Sequence, residues 1–289
     1  MTSPRAAKIW KRTWIGSTQV AVLALLVWLG SGVDGGLVIL VATWLIALAA
    51  TFEVHRMGTL AARGVFWILA PAHLWVGYWT LLGLGLGGSP PPLFLLGGVL
   101  AWAVFGRTIY VGIFRRARLW EIREYAVDTG LALWLVLPLP LLTHVWTDYG
   151  IRGVIGLVLL SKIGDTAGYY VGSAIGRRHP FPRISPGKTV AGCVSSLMAG
   201  ILAGVVAVQT GLLPEAGLGL LGGALAGAVI NVAAQAGDLL ESFVKRRAGV
   251  KDSGTLFGPS GGFLDLVDSL LVTVPAALIT WPLLFSAAN

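Results

Sequence analysis

The chain has 289 residues, of which 56% are hydrophobic and only 12% charged, and its mean hydropathy is +0.81. About a quarter of the residues in a soluble domain are charged, so this composition excludes an ordinary soluble protein. Apolar stretches of about 20 residues, the length that spans a bilayer as a helix, recur along the chain without alternation. The sequence therefore predicts an all-α polytopic membrane protein rather than a barrel.

Nine transmembrane helices are predicted. Their approximate ranges are 14–31, 35–52, 64–86, 92–111, 125–146, 150–173, 189–211, 216–238 and 263–286. The first range follows basic residues as a signal peptide would, but no good cleavage site follows it, so we expect an uncleaved helix. Two membrane-embedded regions are predicted: residues 1–150 with about five spans, and residues 151–289 with about four spans and most of the intramembrane polar groups.

The Lys and Arg residues fall almost entirely on one side of the predicted membrane topology. Of the 21 Lys and Arg residues, 19 fall at the amino terminus or in the even-numbered loops between the predicted spans. Because cytoplasmic loops carry an excess of Lys and Arg, the amino terminus is predicted to be cytoplasmic and the carboxyl terminus external. The net charge of +8 is thereby explained without a nucleic-acid partner.

Polar residues of the second region fall into three clusters. They are "SKIGDTAGYYVGSAIGRRHPFPRISPGKT", "NVAAQAGDLLESFVKRRAGVKDSG" and "GPSGGFLDLVDS". Four aspartates, Asp165, Asp238, Asp265 and Asp268, would together cost roughly 10 kcal/mol in a bilayer, and a bound cation is the obvious compensation. Oxygen donors without a His or Cys cluster suit Mg²⁺, and a second cation stays open.

The surroundings of these carboxylates suggest phosphate chemistry. Lys and Arg residues and the glycine-rich turns "SPGK" and "GPSGG" accompany them, and glycine lets backbone N–H groups approach a phosphate. Carboxylates, a hard metal and basic residues together are typical of phosphoryl or nucleotidyl transfer. Two other interpretations stay open, a cation-coupled transporter and a non-catalytic membrane role. Asp265 and Asp268 could also simply cap a helix, and Gly192, Gly200 and Gly204 could serve close helix packing.

The segment "QAGDLLESFVKRRAGVKDSGTLFGPSGGFLDLVDS" resembles the carboxyl-terminal signature of CDP-diacylglycerol synthases, also called phosphatidate cytidylyltransferases. That signature reads Ser-x-x-Lys-Arg, then Lys-Asp-x-Gly, then Pro-Gly-His-Gly-Gly, then Asp-Arg-x-Asp. "DTAGYYVGSAIGRR" and "ISPGKT" resemble an upstream block of the same family, so the resemblance covers about residues 160–270. Three positions depart from the pattern: Ser260 replaces the histidine, Leu266 the arginine, and Ala191 an acidic or amide residue.

The resemblance implies transfer of a cytidylyl group from CTP to phosphatidate, giving CDP-diacylglycerol and pyrophosphate in phospholipid biosynthesis. Related expectations are a CTP-dependent transferase or kinase acting on another lipid phosphate or lipid alcohol. The implied location is a bacterial-type inner membrane, with the active site facing the cytoplasm. CTP, a lipid phosphate and membrane lipids are the expected partners, and a homodimer stays open.

The resemblance also implies roles for individual residues. The expected Mg²⁺ ligands are Asp238, Asp265 and Asp268. The expected phosphate-binding cations are Lys188, Lys245, Arg246 and Lys251. The other expected substrate-binding residues are Asp165, Ser185, Ser242, Asp252, Gly261 and Gly262.

Overall fold

The computed structural model describes residues 35–58, 65–86, 90–114, 122–215, 217–258 and 261–285. In these ranges all regular secondary structure is helical, which confirms the all-α class. The helices are α1 (Gly35–Met57), α2 (Val65–Gly85), α3 (Pro92–Phe114), α4 (Ile122–Leu135), α5 (Leu142–Ile175), α6 (Val190–Gln209), α7 (Gly219–Arg247), α8 (Phe263–Val267) and α9 (Leu270–Phe285).

Six helical segments of the described ranges are long and apolar enough to cross a bilayer. They lie in α1, α3, α5, α6, α7 and the combined segment of α8 and α9. These segments support an integral membrane protein. The first predicted span, residues 14–31, lies outside the described residues, so the nine-span count stays a prediction.

One predicted span differs from the structure. The span predicted over 125–146 ends early, because α4 stops at Leu135 and a turn follows over residues 136–141. This turn contains Pro138 and Pro140, which lack the N–H groups that a continuing helix needs. The chain then continues as α5, where the predicted loop near residue 150 is only a kink at Gly150, with φ 63° and ψ −170°.

Helices α5, α6 and α7 pack closely because small residues line their contacts. A Cβ added at Gly200 would lie 2.6 Å from the Cβ of Asn231, and one added at Gly204 would overlap the carbonyl of Gly223. A Cβ at Gly192 would lie 2.8 Å from the carbonyl oxygen of Gly168. The packing role predicted for these glycines is confirmed, and it brings the polar side chains of three helices together.

The amino-terminal helices support the carboxyl-terminal segment directly. One apolar cluster contains side chains of α1 to α4 together with Val244, Leu264 and Val267. Leu266, one of the departures from the family pattern, packs against this cluster as a partly buried side chain. Helix α8 is therefore fixed against α1, and its position determines where the carboxylates of the third polar cluster lie.

Candidate active site

A cavity of about 370 Å³ lies between α5, α6, α7 and α8. Its lining includes five predicted site residues, namely Asp165, Lys188, Asp238, Asp265 and Asp268. Lys162, Tyr169, Cys193 and Gln235 also line it. Residues predicted from three separate segments of the sequence thus meet at one cavity, as a shared site requires.

Three carboxylates form the acidic part of this site. One oxygen from each of Asp238, Glu241 and Asp268 lies within 4.8 Å of the others. Glu241 was not among the predicted site residues, although its position three residues after Asp238 on α7 places both on one helix face. The spacing of these two residues is the sequence signal that could have identified Glu241.

Each of these three carboxylates forms an ion pair with a different lysine. Lys188 Nζ lies 2.5 Å from Asp238, Lys245 Nζ lies 2.7 Å from Glu241, and Lys162 Nζ lies 3.2 Å from Asp268. Three ammonium groups thus neutralise three carboxylates that would otherwise repel one another in a medium of low dielectric constant. The carboxylates of this group can bind a cation, and the lysines can bind an anion.

Asp265 has a different environment from the other aspartates. One of its carboxylate oxygens accepts hydrogen bonds from the backbone N–H and hydroxyl of Ser253, at 2.8 and 2.6 Å, and from the N–H of Gly262, at 2.8 Å. Its other oxygen contacts Lys245 Nζ at 2.6 Å. Asp265 therefore caps α8 and orders the preceding loop, the alternative to metal ligation that the sequence left open. The close group of three carboxylates in the described residues contains Glu241 with Asp238 and Asp268, and metal ligation by Asp265 stays a prediction.

The turn before α8 depends on glycine. Gly261 has φ 81°, a left-handed conformation that side chains rarely adopt, and a Cβ there would overlap the carboxylate of Asp265. Gly262 donates its N–H to Asp265, so it serves the protein's own carboxylate in this structure. The predicted donation of these N–H groups to substrate stays a prediction.

Glu53 is a residue that sequence reasoning missed. Its carboxylate reaches from α1 to the start of α8, where it accepts hydrogen bonds from the N–H groups of Phe263 and Leu264, at 2.8 and 2.9 Å. The hydroxyl oxygen of Ser253 also lies 2.7 Å from this carboxylate, so its single hydrogen is shared between Glu53 and Asp265. The signal was a single carboxylate near the end of an apolar helix, but nothing local in the sequence showed that its partners lie some 200 residues later.

The loop between α5 and α6 is attached to the end of α7. Arg246 donates hydrogen bonds to the backbone carbonyls of Ile184 and Val250, at 3.4 and 3.3 Å. Ser185 lies in a turn of this loop, where its carbonyl accepts the N–H of Lys188 at 3.2 Å. The arginine and the serine thus help to place Lys188, and their predicted contacts with substrate stay predictions.

The remaining predicted residues lie at the edge of the site or beyond it. Ser242 is half-buried on α7, and Lys251 and Asp252 are exposed in the loop that follows. None of these three is among the described residues that line the cavity. Ser260 lies outside the described residues. Ala191 is half-buried in the first turn of α6, next to the cavity-lining Gly192.

The acidic group has the donor chemistry that Mg²⁺ prefers. Its donors are carboxylate oxygens, and Oε1 of Glu241 is buried without a hydrogen-bond partner among the described residues. A buried carboxylate oxygen with no donor is costly unless a cation can approach it. The residues present therefore fit a hard divalent cation.

Carboxylates and lysines that meet at one cavity between apolar helices are typical of phosphoryl or nucleotidyl transfer. A sequence profile described as the cytidylyltransferase family matches residues 10–284. The chain belongs to this family, which confirms the resemblance drawn from the signature residues.

Individual relatives agree with the family match. A segment of 160 residues is 34% identical to phosphatidate cytidylyltransferase of Aquifex aeolicus (strain VF5), covering 54% of this chain and 57% of that protein. A match of 267 residues, 28% identical, covers 89% of this chain and 95% of phosphatidate cytidylyltransferase of Staphylococcus epidermidis. A third segment, of 122 residues, is 38% identical to the uncharacterized protein YnbB of Escherichia coli (strain K12), covering 42% and 40% of the two chains. The matches thus span about half of the Aquifex and Escherichia proteins and nearly all of the Staphylococcus protein.

Proposed function

We propose that this protein is a phosphatidate cytidylyltransferase, which joins CTP and phosphatidate to give CDP-diacylglycerol and pyrophosphate. The observation that carries the proposal is the group of three carboxylates paired with three lysines, two pairs of which line one cavity between membrane helices. This arrangement offers separate places for a divalent cation and for phosphates, which nucleotidyl transfer requires. The family match favours this activity over a cation-coupled transporter.

The reaction needs no nucleophile from the protein, because the acceptor is already an anion. An unprotonated oxygen of the lipid phosphate forms a bond to the α-phosphorus of CTP. The bond from that phosphorus to the oxygen bridging to the β-phosphorus breaks, and pyrophosphate leaves with that oxygen. The protein's contribution is to align the two phosphates and to offset their mutual repulsion.

Individual side chains can supply this alignment. Asp238, Glu241 and Asp268 would hold Mg²⁺, which neutralises charge on the triphosphate when it is bound. Lys188 and Lys245 already lie against the carboxylates, and a bound triphosphate offers their ammonium groups new anionic partners. Asp265, which lines the cavity, would then act through Lys245, whose ammonium group it holds at 2.6 Å.

The position of the site suits the two substrates. The cavity lies near the end of the bundle at which α5 ends and α6 begins, and the loop between them carries Arg177, Arg178 and Arg183. By the positive-inside rule this loop faces the cytoplasm, where CTP is found. We therefore place the site at the cytoplasmic side of an inner membrane, with the amino terminus inside and the carboxyl terminus outside.

The test is an assay of purified protein in mixed micelles, following pyrophosphate release. The expected result is release that requires CTP, Mg²⁺ and phosphatidate together, and that falls when dioleoylglycerol replaces phosphatidate. Equal release with dioleoylglycerol would indicate a lipid alcohol as acceptor. No release with any lipid phosphate would contradict the proposal.

A further inference from the structure

Lys162 is a cation of the cavity to which the sequence analysis assigned no role. It lies on α5, lines the cavity together with Lys188, and pairs with Asp268. We propose that Lys162 binds the phosphate of the lipid acceptor, so that the lysines of the site are divided between the two substrates. This inference rests on the proposed function and adds to it the residue that receives the lipid headgroup.

Exposure distinguishes Lys162 from the other two lysines. The side chain of Lys162 is 38% exposed, against 18% for Lys188 and 11% for Lys245. Its partner Asp268 is only 12% exposed, so Lys162 is the more exposed member of the pair. An anion that enters the cavity from outside can therefore contact Lys162 without displacing buried groups.

The surface beside Lys162 is apolar. On the same helix Leu159 is 52% exposed and Ile163 is 42% exposed, and both flank the lysine. In a membrane protein such side chains face acyl chains. A diacyl lipid that brings its phosphate to the cavity along this surface contacts Lys162 first. A water-soluble nucleotide gains no binding energy from this apolar surface.

The position of Lys162 along α5 excludes simple snorkelling. It precedes the last residue of the helix, Ile175, by 13 residues, which corresponds to about 20 Å of helix. A lysine side chain reaches only a fraction of that distance, and the structure directs it into the cavity toward Asp268 instead. Since an ammonium group within a membrane segment is costly, its presence there indicates a ligand or a partner.

The pairing with Asp268 also explains how Lys162 becomes available. Asp268 belongs to the group of carboxylates that fits a divalent cation, so a cation there competes with Lys162 for the same carboxylate. The ammonium group then needs another anion, and the acceptor phosphate must lie beside the nucleotide for the reaction to proceed. Lys188 and Lys245, whose side chains are less exposed, remain for the nucleotide.

The experiment compares Lys162→Met and Lys162→Gln with Lys162→Arg, which retains the charge. Two quantities are measured for each purified variant. The first is kcat/KM for phosphatidate in mixed micelles at saturating CTP. The second is the concentration of CTP with Mg²⁺ that half-protects Cys193 from a maleimide without lipid. Cys193 is the chain's single cysteine and lines the same cavity, so its protection reports nucleotide binding directly.

The proposal predicts different effects on the two quantities. Lys162→Met and Lys162→Gln should lower kcat/KM for phosphatidate by about tenfold or more, the scale of a lost charge-assisted hydrogen bond. The half-protecting concentration of CTP should stay within about twofold of wild type, which also shows that the variants fold. Lys162→Arg should retain most of the activity.

Two outcomes would overturn the proposal. A comparable rise in the half-protecting concentration of CTP would make Lys162 a nucleotide ligand or a general source of positive charge. An unchanged kcat/KM for phosphatidate in both neutral variants would make it only a counter-ion for Asp268. Failure of the proposed function is distinguishable, because the wild type itself would then release no pyrophosphate.

Discussion

Glu53 offers a sharp test of how the amino-terminal helices support the site. Glu53→Gln keeps the size of the side chain and removes its charge. The carboxylate accepts hydrogen bonds from the N–H groups of Phe263 and Leu264, and it shares the hydroxyl hydrogen of Ser253 with Asp265. Phe263 donates to one carboxylate oxygen and Leu264 to the other. A glutamine has only one oxygen, so its NH₂ group must face one of these two N–H donors and cannot accept its hydrogen bond.

The expected cost follows from these contacts. One buried N–H group loses its acceptor, which costs about 1–3 kcal/mol, and the remaining hydrogen bonds lose their charge assistance. Because the site is only partly buried, we expect a net loss of about 2 kcal/mol, which is a fall of roughly 5 °C in Tm for a chain of this size. Displacement of α8 also moves Asp265 and its contact with Lys245, so kcat should fall about tenfold or more.

The measurements are Tm in detergent and kcat in the pyrophosphate assay. The matched control is Glu215→Gln, because Glu215 is exposed in the loop before α7 and its charge should not matter. Both quantities should be unchanged in the control. A Glu53→Gln variant with wild-type Tm and wild-type kcat would refute the idea that this carboxylate orders the loop and α8.

Three further predictions concern other parts of the structure. Asp238→Asn should lower Mg²⁺-dependent turnover by roughly 100-fold or more without lowering Tm. Asp265→Asn should lower both turnover and Tm, because it removes hydrogen bonds that order the loop before α8. Equal losses of Tm in the two variants would contradict these different roles. Gly204→Val should lower the free energy of unfolding by at least about 2 kcal/mol, measured as Tm, because its side chain overlaps a carbonyl of α7; an unchanged Tm would show that the contact is not tight. A reporter after Asn289 should be external and one within residues 177–188 cytoplasmic; reporters on one side would refute the topology.

The sequence predicted the helical class and five of the six charged residues that line the cavity. Long apolar runs report membrane helices directly, and the signature residues around Asp238 and Asp268 lie at fixed spacing on their helices. The same reasoning overestimated the span at 125–146, because the mean hydropathy of a long window stays high around Pro138 and Pro140 and does not report the N–H groups that they lack.

The sequence could not show which partner each carboxylate has. Asp265 and Asp268 lie three residues apart on one segment, yet one caps α8 and the other faces Lys162 from α5. Glu53 and Lys162 each pair with residues more than 100 positions away, and such pairs depend on how the helices pack. The spacing of residues in the sequence identifies candidates for a site. The tertiary contacts show whether each candidate can bind a cation, can bind the substrate or holds the protein's own backbone.

The central claim is that the cytidylyl group of CTP moves to a lipid phosphate. The most direct measurement uses purified protein, Mg²⁺ and phosphatidate with CTP labelled either at the α-phosphorus or at the γ-phosphorus, followed by separation of lipid from water-soluble products. The account predicts that the α-label enters the lipid fraction as CDP-diacylglycerol and that the γ-label leaves as pyrophosphate. Entry of the γ-label into the lipid fraction would show a kinase, and absence of both labels from the lipid would contradict lipid transfer altogether.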